Sequence, residues 1–311
     1  MDAQLLKPEV RKAVTSVPRL PFGVPGLHWL ARLVYNLAAG SQLDDRVTVE
    51  NRTVHGRKHR IIRPASGVTS RAVALWFYGG GHLAGKPEHL DALGSLIALR
   101  YGMTFIAPEY RLAPEHPYPA DLDDATQSWH WLLDQSDSLD IDRDRIAIGG
   151  NSAGGGIAAA LAHWLHDSGG TQPRAQVLFY PMLDDRTAAN DTLDVANHFI
   201  WNNTQNRRAW RAYLGPAQLG ADRLPPYAAP ARRDNLSGLP PTWIGQCGLD
   251  LFFDEYQDYG MRLTDAGVEC ETMTVDGVPH AFEALCPDEA VSVSFNEAAL
   301  DFLARQLDLQ R

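Results

Sequence analysis

Apolar positions along this chain fall into short unbroken runs that alternate with stretches of helical spacing. AVALWF (72–77), MTFIAPEY (103–110), IAI (146–148), AQVLFYPML (175–183) and PTWIGQCG (241–248) read as strands, the most apolar of them buried on both faces. Between them HLDALGSLIALRYG, the stretch containing WHWLLDQ, AAALAHWL and the stretch LDLFFDEYQDYGMRLTDAG predict helices. VECETMTVDG (268–277) predicts a last strand and SVSFNEAALDFLARQL (292–307) a last helix. Strand–helix alternation of this kind predicts an α/β fold with a mainly parallel central sheet and helices on both faces. VTVENRTV and KHRIIRPA, polar along much of their length, are expected as edge strands.

The alternation fails in two places. Residues 1–45 look helical: LLKPEVRKAV, a break at the proline-rich PRLPFGVPG (18–26), then LHWLARLVYNLAA (27–39). In the last of these Trp29, Leu30, Leu33, Val34 and Leu37 share one side, which is the expected packing face. Residues 184–239 show no clear strand and carry the aromatic helical stretch FIWNNTQNRRAWRAYLG. So long a connection within a compact domain is usually functional. The expected organisation is a catalytic domain of residues 46–183 and 240–311. A helical cap is expected from residues 1–45 and 184–239.

Composition narrows the classes. A length of 311 residues, with 45% hydrophobic and 21% charged residues, suits a globular chain with a full core. A net charge of −10 argues against nucleic acid and anionic membranes as partners. Cys247, Cys270 and Cys286 are too few and too scattered for a disulfide framework or a zinc site, which fits a cytoplasmic location. No signal peptide and no bilayer-spanning run is read.

The chemistry centres on RIAIGGNSAGGGIAAALAHWL (145–165). Gly150-Asn151-Ser152-Ala153-Gly154 fits G-x-S-x-G between a strand and a helix, the context of a nucleophile elbow. Ser152 then sits at a helix N-terminus, where unpaired N–H groups favour developing negative charge. In sheets with such an elbow the partners follow in the order acid, then His, each at a strand end. After Ser152 the chain has His163, His166, His198 and His280. The first two lie on the helix leaving the elbow and His198 lies in the expected cap. His280, in the loop after the last strand, is the candidate base. Asp250, Asp254, Glu255 and Asp258 follow PTWIGQCG, and Asp250, first beyond the strand end, is chosen as the acid. Tyr78-Gly79-Gly80-Gly81 follows AVALWF, and the N–H groups of Gly80, Gly81 and Ala153 are the expected oxyanion donors. No Walker lysine or dinucleotide fingerprint accompanies these glycines, so they are not read as a phosphate-binding loop, and no metal-ligand cluster is seen.

With these motifs in view the sequence resembles the bacterial carboxylesterases of the hormone-sensitive lipase family. YGGGH is similar to the family's HGGG block, and YRLAPEHPYPADLDD (110–124) to a long family signature. GNSAGG resembles GDSAGG, GLDLFFDE the DPLRDE block, and PHAF the HGF block. The resemblance covers about residues 45–311 and implies a capped α/β-hydrolase fold that hydrolyses esters without a cofactor. Carried across, the roles fall on Ser152, Asp250, His280, Gly80, Gly81 and Ala153. The chain departs from the family at Tyr78, Asn151, Leu251 and Phe253. Tyr78 takes the place of the His that opens the glycine block, where its hydroxyl is expected either to brace the loop or to leave only the ring packing.

The reading is a serine carboxylesterase acting on short- to medium-chain acyl esters through an acyl-enzyme. Trp29, Trp201, Trp210 and Tyr213 are candidates to line its pocket, and a monomer or homodimer is expected. The alternatives are an amidase or lactonase on the same triad, or a non-catalytic ligand-binding protein of this fold.

Overall fold

The computed structural model describes residues 1–18, 20, 22, 27–38, 42–216 and 218–310. Most of the proline-rich break at 18–26 lies outside the described residues. Two helices come first, α1 (Pro8–Ser16) and α2 (His28–Ala38). Strands β1 (Val47–Val54) and β2 (Arg57–Pro64) follow as an antiparallel hairpin. The alternating part runs β3 (Val73–Phe77), α3 (Asp91–Tyr101), β4 (Thr104–Pro108), α4 (Ala120–Asp134), β5 (Ile146–Asn151), α5 (Ala153–Ser168) and β6 (Ala175–Phe179). After α6 (Asp185–Ala189) and α7 (Asn203–Leu214) it resumes with β7 (Thr242–Cys247), α8 (Phe253–Asp265), β8 (Cys270–Val275), α9 (Phe282–Leu285) and α10 (Ala290–Gln306).

The eight strands form one sheet in the order β1-β2-β4-β3-β5-β6-β7-β8, parallel from β4 to β8. The expected mainly parallel α/β-hydrolase sheet is what forms. One expectation changes. β1 is an edge strand, but β2 lies inside the sheet between β1 and β4. Its apparent polarity is misleading because Ile61 and Ile62 are buried, His59 bonds Ser128 at 2.9 Å, and Arg60 pairs with Asp91 at 2.6 Å. Buried polar side chains are tolerated where each finds a partner.

The fully buried strands β3, β4, β6 and β7 carry the core. On one face α3 and α10 pack over Trp76, Val177 and Phe179, and Tyr101 Oη donates to the Leu300 carbonyl at 2.8 Å. On the other lie α4, α5 and α8, with His163 of α5 and Tyr259 of α8 joined at 2.8 Å.

The helix α2 is turned the other way from expectation. Trp29, Leu30, Leu33, Val34 and Leu37 are exposed, whereas Ala31 is buried. The inward face is held by polar contacts instead. Arg32 Nε donates to the Leu83 carbonyl at 2.6 Å and Nη2 to the Ala113 carbonyl at 2.8 Å. Asn36 Oδ1 accepts from the Gly85 N–H at 3.0 Å. Three directed bonds to buried backbone groups decide the rotation of this helix against its apolar stripe.

Candidate active site

Strand β5 runs three residues beyond its apolar start, to Asn151, and the chain reverses at Ser152 into α5. Ser152 has φ 55° and ψ −120°, a conformation that costs a non-glycine residue free energy. It is fixed there by its N–H to the Phe179 carbonyl at 2.9 Å and by its carbonyl, which accepts from Met182 at 3.0 Å. The strain projects Oγ off the end of the sheet at the start of a sixteen-residue helix.

Loops after β7 and β8 bring two more side chains to that point. The Gly248 N–H donates to the Val275 carbonyl at 2.9 Å, and the Leu249 N–H to the Val278 carbonyl at 3.0 Å. These bonds lace the two loops together. His280 Nε2 lies 2.8 Å from Ser152 Oγ, and His280 Nδ1 lies 2.7 Å from Asp250 Oδ2. Asp250 is 4% exposed, and its Oδ1 also accepts from the Phe252 N–H at 3.3 Å. A buried carboxylate on Nδ1 sets that nitrogen as the N–H, leaving Nε2 to accept the serine proton. The other carboxylates offered by the sequence go elsewhere. Asp254 and Asp258 are exposed, the latter beside Arg262, and Glu255 is buried against Thr187 Oγ1 at 3.3 Å. Burial pushes the Glu255 carboxyl well above its ordinary range.

The glycine loop borders the serine directly. A Cβ on Gly79 would stand 3.2 Å from Ser152 Cβ. Gly80 has φ +132° and a Cβ there would meet the Ala84 carbonyl oxygen at 2.1 Å, so only glycine fits. The Gly80 carbonyl accepts from the N–H groups of Leu83 and Ala84 at 3.0 and 3.1 Å, closing the loop into a turn. Among the described residues none accepts from the N–H of Gly80 or Gly81.

The structure also shows what the 110–124 signature does. Tyr110 stacks on Tyr78 at 4.3 Å, and its Oη donates to the Tyr78 carbonyl at 2.7 Å. Asp121 Oδ2 pairs with His82 Nδ1 at 2.8 Å, and the Ala113 N–H donates to the His82 carbonyl at 2.9 Å. Arg111 is held by Asp124. These bonds brace the glycine loop from below, while Arg32 and Asn36 grip it at Leu83 and Gly85. Sequence reasoning did not find His82, Asp121, Arg32 or Asn36. Asp121 at least lay inside a recognisable motif; Arg32 and Asn36 gave no signal, because the apolar stripe of their helix pointed to the other side.

The comparisons with known proteins agree with this architecture. A family whose description is alpha/beta hydrolase fold, Abhydrolase_3, matches residues 74–284. The chain belongs to this family. It is 33% identical over 210 residues to the esterase LipI of Mycobacterium tuberculosis, the match covering 68% of this chain and 65% of that protein. It is 30% identical over 239 residues to an ethyl acetate hydrolase of Pseudomonas putida, covering 76% of this chain and 74% of the relative. Among solved structures, a bacterial heroin esterase superposes with a TM-score of 0.90 at 31% identity, covering 98% of each chain. An esterase from the bacterial hormone-sensitive lipase family superposes with a TM-score of 0.81 at 28% identity, covering 97% of this chain and 99% of that one. Carboxylic ester hydrolases thus recur among the relatives of this α/β-hydrolase, and the resemblance to hormone-sensitive-lipase-like bacterial esterases holds.

The pocket candidates separate. Trp201 is buried with its indole against Gly81, where a glycine Cβ would meet Cη2 at 2.5 Å. Trp210 and Tyr213 are buried one layer away around His82, the Tyr213 ring stacking on it at 3.9 Å. Trp29 is 57% exposed on the outward face of α2, a correction to its expected place in the pocket. Tyr78 is fully buried. Its hydroxyl meets the Tyr110 backbone N–H and carbonyl at 3.4 Å and makes no bond to the glycine triplet. Desolvation pushes its pKa up.

Among the described residues no helix is long and apolar enough to cross a membrane.

Proposed function

We propose that this chain is a serine carboxylesterase for short- to medium-chain acyl esters. The observation that carries this is the continuous line from Asp250 through His280 to Ser152, at 2.7 and 2.8 Å, at the end of the sheet. Ser152 Oγ attacks the ester carbonyl as His280 Nε2 takes its proton. Negative charge on the carbonyl oxygen is received by the N–H groups of Gly80, Gly81 and Ala153. His280 then gives its proton to the leaving alcohol. An acyl group remains on Ser152 until water, activated by the same imidazole, releases the acid. Asp250 orients the ring and stabilises its cation without itself taking a proton.

The cap reading rests on the two segments outside the alternation. Trp201 touches the glycine loop, Phe22 lies 6.2 Å from its ring, and Gln205 Nε2 donates to the Leu20 carbonyl at 3.2 Å. An indole pressed on the glycine loop supports a limit on acyl size, in keeping with a relative named for ethyl acetate. Three free cysteines suit a reducing, cytoplasmic setting.

The test is a panel of soluble esters from acetate to laurate, with matched amides and lactones, beside labelling by a fluorophosphonate. Short esters should turn over fastest, and the label should fall on Ser152. Label on another residue, undiminished turnover by Ser152→Ala, or faster cleavage of the matched amides would refute the reading.

A further inference from the structure

Beneath the triad lies a second polar chain that the mechanism above does not use. Trp76 Nε1–H donates to Asn151 Oδ1 at 2.7 Å. An indole N–H can only donate, so this bond fixes which end of the Asn151 amide is oxygen. Its Nδ2 therefore faces Tyr180, donating to Tyr180 Oη at 3.0 Å and to Glu283 Oε1 at 3.5 Å. The single hydroxyl proton of Tyr180 is then directed to Glu283 Oε1. The Tyr180 hydroxyl and the Asn151 amide both present donors to Glu283 Oε1, the pattern that suits an ionised carboxylate.

That carboxyl is placed close to the reacting groups. Glu283 is 6% exposed and follows His280 by three residues, on the first turn of α9. Tyr180 is 2% exposed, with its ring at an angle of 64° to the His280 imidazole and 4.7 Å from it. Tyr180 itself sits at φ +37°, a conformation kept only where the surroundings over-determine it. Glu283 Oε2 has no hydrogen-bond partner among the described residues. The backbone N–H groups of Glu283 and Ala284 also favour its charged form.

We propose that Glu283 is a second carboxylate serving His280: a positioning residue that acts through Tyr180 to hold the imidazole and, by its charge, favours the imidazolium formed as Ser152 attacks. Asn151 is part of the device. An Asp at this position, as in the family motif, sets two carboxyls against the one proton of Tyr180, and one of them must then bind a proton of its own. The amide removes that competition and leaves a single charge on Glu283. The inference rests on the esterase reading of the same site.

Several charged or titratable groups act on this set. Asp250, Ser152 and Tyr180 contact His280, and the Phe252 ring stands edge-on to it at 5.3 Å. His198, from the segment before α7, and Cys247, at the end of β7, both act on Asp250, and Cys247 also on Glu283. Burial raises the Glu283 carboxyl above its ordinary range, partly offset by the Tyr180 hydroxyl and the charge of His280.

The experiment compares pH profiles of kcat and kcat/KM on a short soluble ester for the wild type, Glu283→Gln and the double variant Glu283→Gln/Asn151→Asp. Glu283→Gln should lower kcat about tenfold with KM little changed, and move the acid limb about half a unit to one unit downward. The double variant returns a carboxylate to the chain and should bring the limb back toward wild type. An unmoved limb in Glu283→Gln, whatever its melting temperature, or no recovery in the double variant, overturns the proposal. If Glu283→Gln does not fold, Tyr180→Phe cuts the same link and is read by the same criteria. The pH dependence of the fluorophosphonate labelling rate reads Ser152 and His280 without ester turnover. A wild type that labels but cleaves no ester therefore refutes the esterase reading, while the shift of the labelling limb still decides the role of Glu283.

Discussion

The indole of Trp201 occupies the space that a side chain on Gly81 would need: a Cβ there would stand 2.5 Å from Cη2. Gly81 also has φ +61°, which side chains rarely adopt. Gly81→Ala should therefore either push the indole aside or turn the loop. If the loop turns, a proposed oxyanion donor is lost and kcat should fall by about 10²–10³-fold. Trp201→Ala should keep the short-ester kcat within about tenfold and shift preference toward longer acyl chains. Steady-state kinetics across an acyl series checks both. Unchanged chain-length preference in Trp201→Ala would remove this ring from the pocket.

The four carboxylates after β7 differ in surroundings, and only Asp250 is buried against an imidazole. Asp250→Asn should lower kcat by about 10⁴-fold, because the amide favours the wrong tautomer of His280. Asp254→Asn, at an exposed position, should stay within about threefold of wild type. The reverse ranking would assign the acid to Asp254.

Tyr78 braces by stacking more than by hydrogen bonding. Its ring lies on Tyr110 and fills the space beside Gly85, while its hydroxyl reaches only the Tyr110 backbone, at 3.4 Å. Tyr78→Phe leaves that buried N–H without a partner and should cost about 1–3 kcal/mol of stability, with kcat near wild type. Tyr78→Ala should also lower kcat, since the loop then loses the ring beneath it. Urea unfolding and kinetics on the same samples separate the two effects, and a large kcat loss in Tyr78→Phe would show that the hydroxyl acts on the glycine loop.

His163 is 1% exposed, and burial lowers its pKa from 6.5 to about 3. Its depressed value means the folded protein holds it neutral while the unfolded chain protonates it. Its contribution to stability is therefore fully present above pH 6.5 and is lost progressively as pH falls toward 3, on the order of several kcal/mol at the limit. Wild-type unfolding free energy should fall steadily from pH 7 to pH 4. His163→Asn should flatten that slope even if it lowers stability at pH 7. An identical slope in the variant would show that other groups govern the acid loss.

The sequence alone determined the mainly parallel part of the sheet and the elbow, and it named the Ser, His and Asp that the structure brings together. Short unbroken apolar runs alternating with stretches of helical spacing read as strands buried on both sides, and G-x-S-x-G between a strand and a helix reads as a sharp turn. Chain order then reduced four histidines to His280, and the end of β7 pointed to Asp250. What the sequence did not determine were features that depend on which side of an element faces the core. The apolar stripe of α2 named its exposed side, because Arg32 and Asn36 hold the helix by bonds to Leu83, Ala113 and Gly85, far away in sequence. β2 looked like an edge because Arg60 and His59 read as solvent-facing until their partners Asp91 and Ser128 arrive from other elements. The chain from Trp76 through Asn151 and Tyr180 to Glu283 joins residues on β3, β5, the end of β6 and α9. No periodicity records such a contact; a buried hydrogen bond is chosen by the tertiary packing that leaves each group no other partner.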